Sequence, residues 1–146
     1  MSDTHLILLP TDGSPTADAA ARFAESIARA EDGEVLVLSV AERAIVGGIE
    51  DQQITAKLLE FQRDLAEREA AGIRATGVSA TPLVVTADSP HEAILRVAEE
   101  QHVSIIVMGT HGRSALARAM LGSVADRVVR HASVPVVLVP LVAETR

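Results

Sequence analysis

The chain has 146 residues, a formal net charge of −7 and 48% apolar residues, enough for one domain, residues 1–146, with a core of its own. It has no cysteine, which excludes disulfides and thiolate metal sites, and with no Trp or Tyr and two Phe it lacks stacking platforms for single-stranded nucleic acid. The acidic balance argues against nucleic acid and anionic membrane, no apolar run nears the roughly 20 residues that span a bilayer, and MSDTHLILLP carries no signal pattern, so a soluble cytoplasmic domain is expected.

The first apolar run, HLILLP (5–10), is short and does not alternate with polar residues, which marks a strand covered on both faces. Ser14-Pro15 then puts an N-cap before a proline at the first helical position, and the helix predicted over 15–31 carries Ala20, Ala24 and Ile27 on one face. EVLVLSV (34–40) is the second strand, and AIVGGIED (44–51), with its glycine pair and weak periodicity, is expected to be a mobile loop. Ile54, Leu58, Phe61 and Leu65 mark the apolar face of a longer helix from about 50 to 71. PLVVTA (82–87) is the third strand, and Ser89-Pro90, with Glu92 completing a capping box, opens a helix over 90–101 that carries Ile94, Val97 and Ala98. VSIIVMG (103–109) and VPVVLVP (134–140) are the last strands, and between them a helix over 123–132 presents Val124, Val128 and Ala132. Residues 141–146 are a short tail. Strand and helix alternate throughout, the pattern of an α/β doubly wound sheet.

MGTHGRSALARAMLGS (108–123) follows the fourth predicted strand and leads into the last helix. Gly109 falls at the carboxyl end of that strand and Gly122-Ser123 at the helix start, where ligands of open parallel sheets bind and where unpaired N–H groups suit phosphate. Glycine there lets an anion approach the backbone, and Arg113 and Arg118 supply cations. A P-loop is excluded, because the single lysine, Lys57, lies inside the long helix, and no G-x-G-x-x-G follows the first strand. GRSAL (112–116) is not a nucleophile elbow, nothing orders Ser114, His111 and Asp12 as a triad, and no dense metal-ligand spacing occurs, so no catalytic and no metal residues are assigned.

Gly109, Gly112, Gly122 and Ser123 satisfy G-x2-G-x9-G-[ST], and in this the chain resembles the nucleotide-binding branch of the universal stress protein family. LLPTDGSP near the start and LGSVADRVVRHASVPVVLVP near the end are similar to the family's first and closing segments, while Ala87-Asp88 stand where many members carry a glycine. The resemblance implies an open five-stranded parallel sheet in the order 3-2-1-4-5 with helices on both faces, the adenine nucleotide alpha hydrolase-like arrangement. It also implies ATP, or another adenine nucleotide, as ligand, with room for magnesium beside a triphosphate. Pro10, Thr11 and Asp12 would then lie beside Gly109, with Asp12 toward the ribose or adenine and the Val40 backbone toward the adenine. Met108, Gly109, His111 and Gly112 would line the ribose and phosphates, with Arg113 nearby, and Gly122, Ser123 and Val124 would donate to the phosphate chain. Apart from the motif, Asp12 reads as a turn former, Ser123 as a helix cap and His111 as a loop residue. The function expected is stress regulation through nucleotide-dependent conformation or partner choice. The alternative is a slow ATPase or a phosphoryl or nucleotidyl transferase at the same site, and a third possibility is a structural module with an empty loop. The apolar strand over 134–140 would form one sheet edge, so a homodimer through it is expected.

Overall fold

The computed structural model describes residues 5–111 and 121–140. In chain order these form β1 (Leu6–Pro10), α1 (Pro15–Glu31), β2 (Glu34–Glu42), β3 (Ile45–Val46), β4 (Ile49–Glu50), α2 (Gln52–Arg74), β5 (Ser79–Ala87), α3 (Pro90–Glu100), β6 (Ile105–Gly109), α4 (Ser123–His131) and β7 (Val136–Val139). The main sheet is parallel and ordered β5-β2-β1-β6-β7, the expected 3-2-1-4-5 with the small β3–β4 pair set aside.

Side chains of successive strand residues point to opposite faces, and both faces are covered. Ile7, Leu9, Val35, Val37 and Val107 pack against Ala20, Ala24 and Ala28 of α1 and Ala66, Ala70 and Ile73 of α2. Leu8, Leu36, Leu38, Ile106 and Met108 pack on the other face, against Ile94, Val97 and Ala98 of α3 and Ala125 and Val128 of α4. Each aliphatic side chain fully removed from water in these layers contributes about 1.5–3 kcal/mol. The alanines of α1 let that helix lie close to the sheet, which brings its first turn down onto the carboxyl ends of the strands.

Three local expectations are corrected. Residues 44–51 hold an antiparallel hairpin, β3–β4, rather than a loop, because Gly47 (φ 60°) and Gly48 (φ 80°) supply the two positive φ values a two-residue hairpin turn requires. Only Leu65 of the predicted apolar face of α2 is buried; Ile54, Leu58 and Phe61 are exposed, and the helix buries Ala66, Ala70 and Ile73 instead. β5 begins at Ser79, three residues earlier than the sequence suggests, since an edge strand accommodates Pro82 without losing an inner ladder bond.

Candidate functional site

The winding reverses between β1 and β6. Their ladder pairs Ile7 with Ile105 and Leu8 with Ile106 and goes no further, although β1 runs to Pro10 and β6 to Gly109. Beyond those pairs the carboxyl ends at Pro10 and Gly109 are not laddered to each other, and in open parallel sheets the crevice that takes a ligand lies outside such ends.

On the β1 side, Pro10 ends the strand and the Thr11 amide extends the pairing by donating to the Leu38 carbonyl at 2.9 Å. Thr11 is buried, and its Oγ1 accepts from the Gly13 amide at 3.3 Å. Asp12 Oδ1 accepts from the Ser14 amide at 2.9 Å, and Gly13 has φ 78°, so the turn-forming role of Asp12 is realised. Its second carboxylate oxygen has no hydrogen bond among the described residues. Val40 lies on β2 with its side chain in the layer covered by α3 and α4, two residues beyond Leu38, where the pairing with β1 ends.

On the β6 side the Met108 side chain is buried in the same layer, so a ligand reaches that residue only through its backbone. Gly109 has a packing function the motif does not announce. A Cβ there would stand 2.5 Å from Thr16 Oγ1, 2.7 Å from Thr16 Cβ and 2.9 Å from the Thr16 carbonyl carbon, so its absence lets the first turn of α1 seat against β6. Thr16 then donates its hydroxyl proton to the His111 carbonyl. Thr110 Oγ1 lies 2.9 Å from His111 Nδ1, and His111 Nε2 is buried with no partner among the described residues. Gly112, Arg113 and Arg118 lie outside the described residues.

α4 enters from the same side. The Gly122 amide donates to the Thr110 carbonyl at 2.8 Å, which fixes the start of α4 beside the end of β6. Gly122 is the N-cap and supplies no side-chain hydrogen bond, whereas Ser14, Asp51 and Ser89 each cap their helices with a side-chain oxygen. Of the expected capping box on α3, the half from the Glu92 amide to Ser89 Oγ is present, at 3.5 Å. Ser123 and Val124 thus begin a helix whose first-turn amides have no side-chain acceptor among the described residues. Such an end carries roughly half a positive elementary charge.

The structure thus brings Pro10, Thr11, Asp12, Gly109, His111, Gly122, Ser123 and Val124 to one edge of the sheet. Sequence reasoning missed Ser14, Thr16 and Thr110, whose hydroxyls and carbonyls tie the loops together. The available signal was the spacing of Thr11, Ser14 and Thr16, three hydroxyls within six residues of a turn. Among the described residues no group of three or more His, Asp or Glu is placed to hold a metal ion, and no helix is long and apolar enough to cross a membrane. Away from this edge, between α1 and α2, burial and then the neighbouring Asp18 raise the Glu69 carboxyl above its ordinary value, with Arg22 opposing.

Comparison with known proteins agrees with this fold. The universal stress protein family model matches residues 4–140. A universal stress protein of Methanocaldococcus jannaschii is 30% identical over 151 residues, covering 91% of this chain and 93% of that one. Its solved structure superposes with a TM-score of 0.73 over 96% of this chain and 98% of that one, at 27% identity. Two solved structures share the fold at lower identity. One is a universal stress protein of Archaeoglobus fulgidus in complex with dAMP, with a TM-score of 0.68, 24% identity and coverage of 95% and 99%. The other is a universal stress protein in complex with cAMP, with a TM-score of 0.72, 21% identity and coverage of 94% and 98%.

Proposed function

The chain belongs to the universal stress protein family, and from that premise we propose that it binds an adenine nucleotide, ATP foremost, in the crevice between β1 and β6. The observation that carries this reading is the start of α4: a helix end with a glycine cap and no side-chain acceptor, anchored at the carboxyl edge by Gly122 and Thr110. Every other described helix has its N-terminal amides partly answered by its own cap. Phosphate oxygens answer those of Ser123 and Val124. The Gly122 amide is already engaged by Thr110, so Gly122 serves by its missing side chain and leaves donation to the two residues after it.

Asp12 takes the ribose or adenine end through its free carboxylate oxygen, the Val40 backbone meets the base, and His111 lies toward the phosphates, the role that the sequence reading also gives to Gly112 and Arg113. Magnesium accompanying a triphosphate would be held by phosphate oxygens and water. The dAMP and cAMP complexes of the two fold neighbours support the choice of an adenine nucleotide.

The bound nucleotide acts as a regulatory signal in the stress response. Phosphoryl transfer calls for a water-positioning base and a fixed cation at the γ-phosphate. Asp12, the acidic side chain this reading places in the crevice, is committed to its turn and to the nucleoside end. β7 is a sheet edge, and a second copy of the chain covers it in a two-fold pair. Titration calorimetry with ATP, ADP and AMP, followed by product analysis, tests the reading. Micromolar or tighter binding with negligible turnover supports it; steady turnover to a defined product would place the protein among enzymes instead.

A further inference from the structure

The two sides of the crevice are joined by an oriented chain of hydroxyls. Thr16 Oγ1 bonds the His111 carbonyl, and Ser14 Oγ lies 3.2 Å from Thr16 Oγ1. A carbonyl only accepts, so the Thr16 proton is committed to His111. Ser14 must then donate to Thr16, and its own oxygen accepts from the Ala17 amide at 3.3 Å. The Ser14 amide in turn donates to Asp12 Oδ1, while on the far side the Thr110 carbonyl holds the Gly122 amide. The path thus runs from Asp12 through Ser14 and Thr16 to His111, and by its neighbour Thr110 to the start of α4.

Ser14 and Thr16 are both buried, so these bonds are shielded from competing water. The Thr16 side chain sits where a Cβ on residue 109 would be, so only a glycine at that position admits it. We infer that Thr16 is a positioning residue: it sets the nucleoside end of the crevice, held by Asp12, in register with the phosphate end, held by His111 and the first turn of α4. A ligand spanning both ends needs that register. A ligand occupying one end does not.

The inference rests on the proposed nucleotide site, and its test separates the two. Thr16→Val keeps the shape of the side chain but removes the hydroxyl; Thr16→Ser restores it. Calorimetry with ATP and with adenosine on the parent and both variants, below their melting temperatures, is expected to show T16V about tenfold weaker for ATP and within about twofold for adenosine. T16S returns ATP affinity to near the parent value. A purely structural threonine would lower the melting temperature and leave the ratio of ATP to adenosine affinity unchanged. That outcome, with the parent binding ATP, overturns the assignment to Thr16 and leaves the site standing. A parent that binds neither ligand overturns both. Where T16V does not fold, Thr16→Ala removes the hydroxyl without a new methyl against the His111 carbonyl, and the same ratio decides.

Discussion

Gly109→Ala adds one methyl group at the tightest point of the crevice. The new Cβ would lie 2.5 Å from Thr16 Oγ1, and rotation of the side chain could relieve that contact alone. It would also lie 2.7 Å from Thr16 Cβ and 2.9 Å from the Thr16 carbonyl carbon, and these belong to the first turn of α1, which must move as a unit. Overpacking of this kind costs about 1–3 kcal/mol, and loosening the Thr16 to His111 hydrogen bond adds about 1 kcal/mol, so a loss of roughly 2–4 kcal/mol is expected. For a chain of this length that corresponds to a fall of about 5–15 °C in Tm. Gly72→Ala is the control: it lies within α2, meets no atom within 4 Å, and is expected to gain about 0.5–1 kcal/mol. Calorimetric melting without nucleotide reads both. If G109A melts with the parent and only nucleotide affinity falls, Gly109 exists for the ligand and the close seating of α1 is wrong.

Gly122→Val places a branched side chain where phosphate should meet backbone; ATP affinity is expected to fall at least tenfold, about 1.4 kcal/mol, with the far-ultraviolet spectrum unchanged. Unchanged calorimetric affinity would remove phosphate from the start of α4. Glu69 binds its proton more tightly folded than unfolded, because its carboxyl lies above the ordinary 4.5. Its effect therefore lowers stability as pH rises through the window just above that value, so E69Q should melt higher than the parent at neutral pH and converge with it in more acidic buffer. An E69Q variant less stable at neutral pH would contradict this sign. Light scattering at tens of micromolar should give a dimer, converted to monomer or insoluble protein by V137K with V139K on β7; a monomeric parent would mean that its edge is covered within its own chain.

The alternation of strand and helix was legible because five unalternating apolar runs and Ser-Pro helix starts at 14–15 and 89–90 punctuate the chain, while the strand order followed from the family resemblance carried by the glycine motif. What periodicity cannot report is which apolar stripe a neighbour covers. Ile54, Leu58 and Phe61 have the spacing of a core face, yet α2 meets the sheet through Ala66, Ala70 and Ile73, and the two alanines let it lie close. The hairpin at 45–50 was hidden by its shortness, two residues to a strand, although Gly47-Gly48 carried the turn signal. Within the site, the glycine spacing marked where the backbone must stay bare but not what approaches it. For Gly109 the neighbour is Thr16, a contact between residues 93 positions apart that only the fold brings together.

The central claim is a nucleotide spanning the crevice from Asp12 to the start of α4. Titration of the Asp12→Ala variant with adenosine and with ATP tests it most directly, alongside the parent. The account predicts that the parent binds ATP at micromolar concentration or below and that D12A loses comparable affinity for both ligands, since Asp12 meets the nucleoside they share. A loss confined to ATP, or a parent that takes up neither ligand, would contradict it.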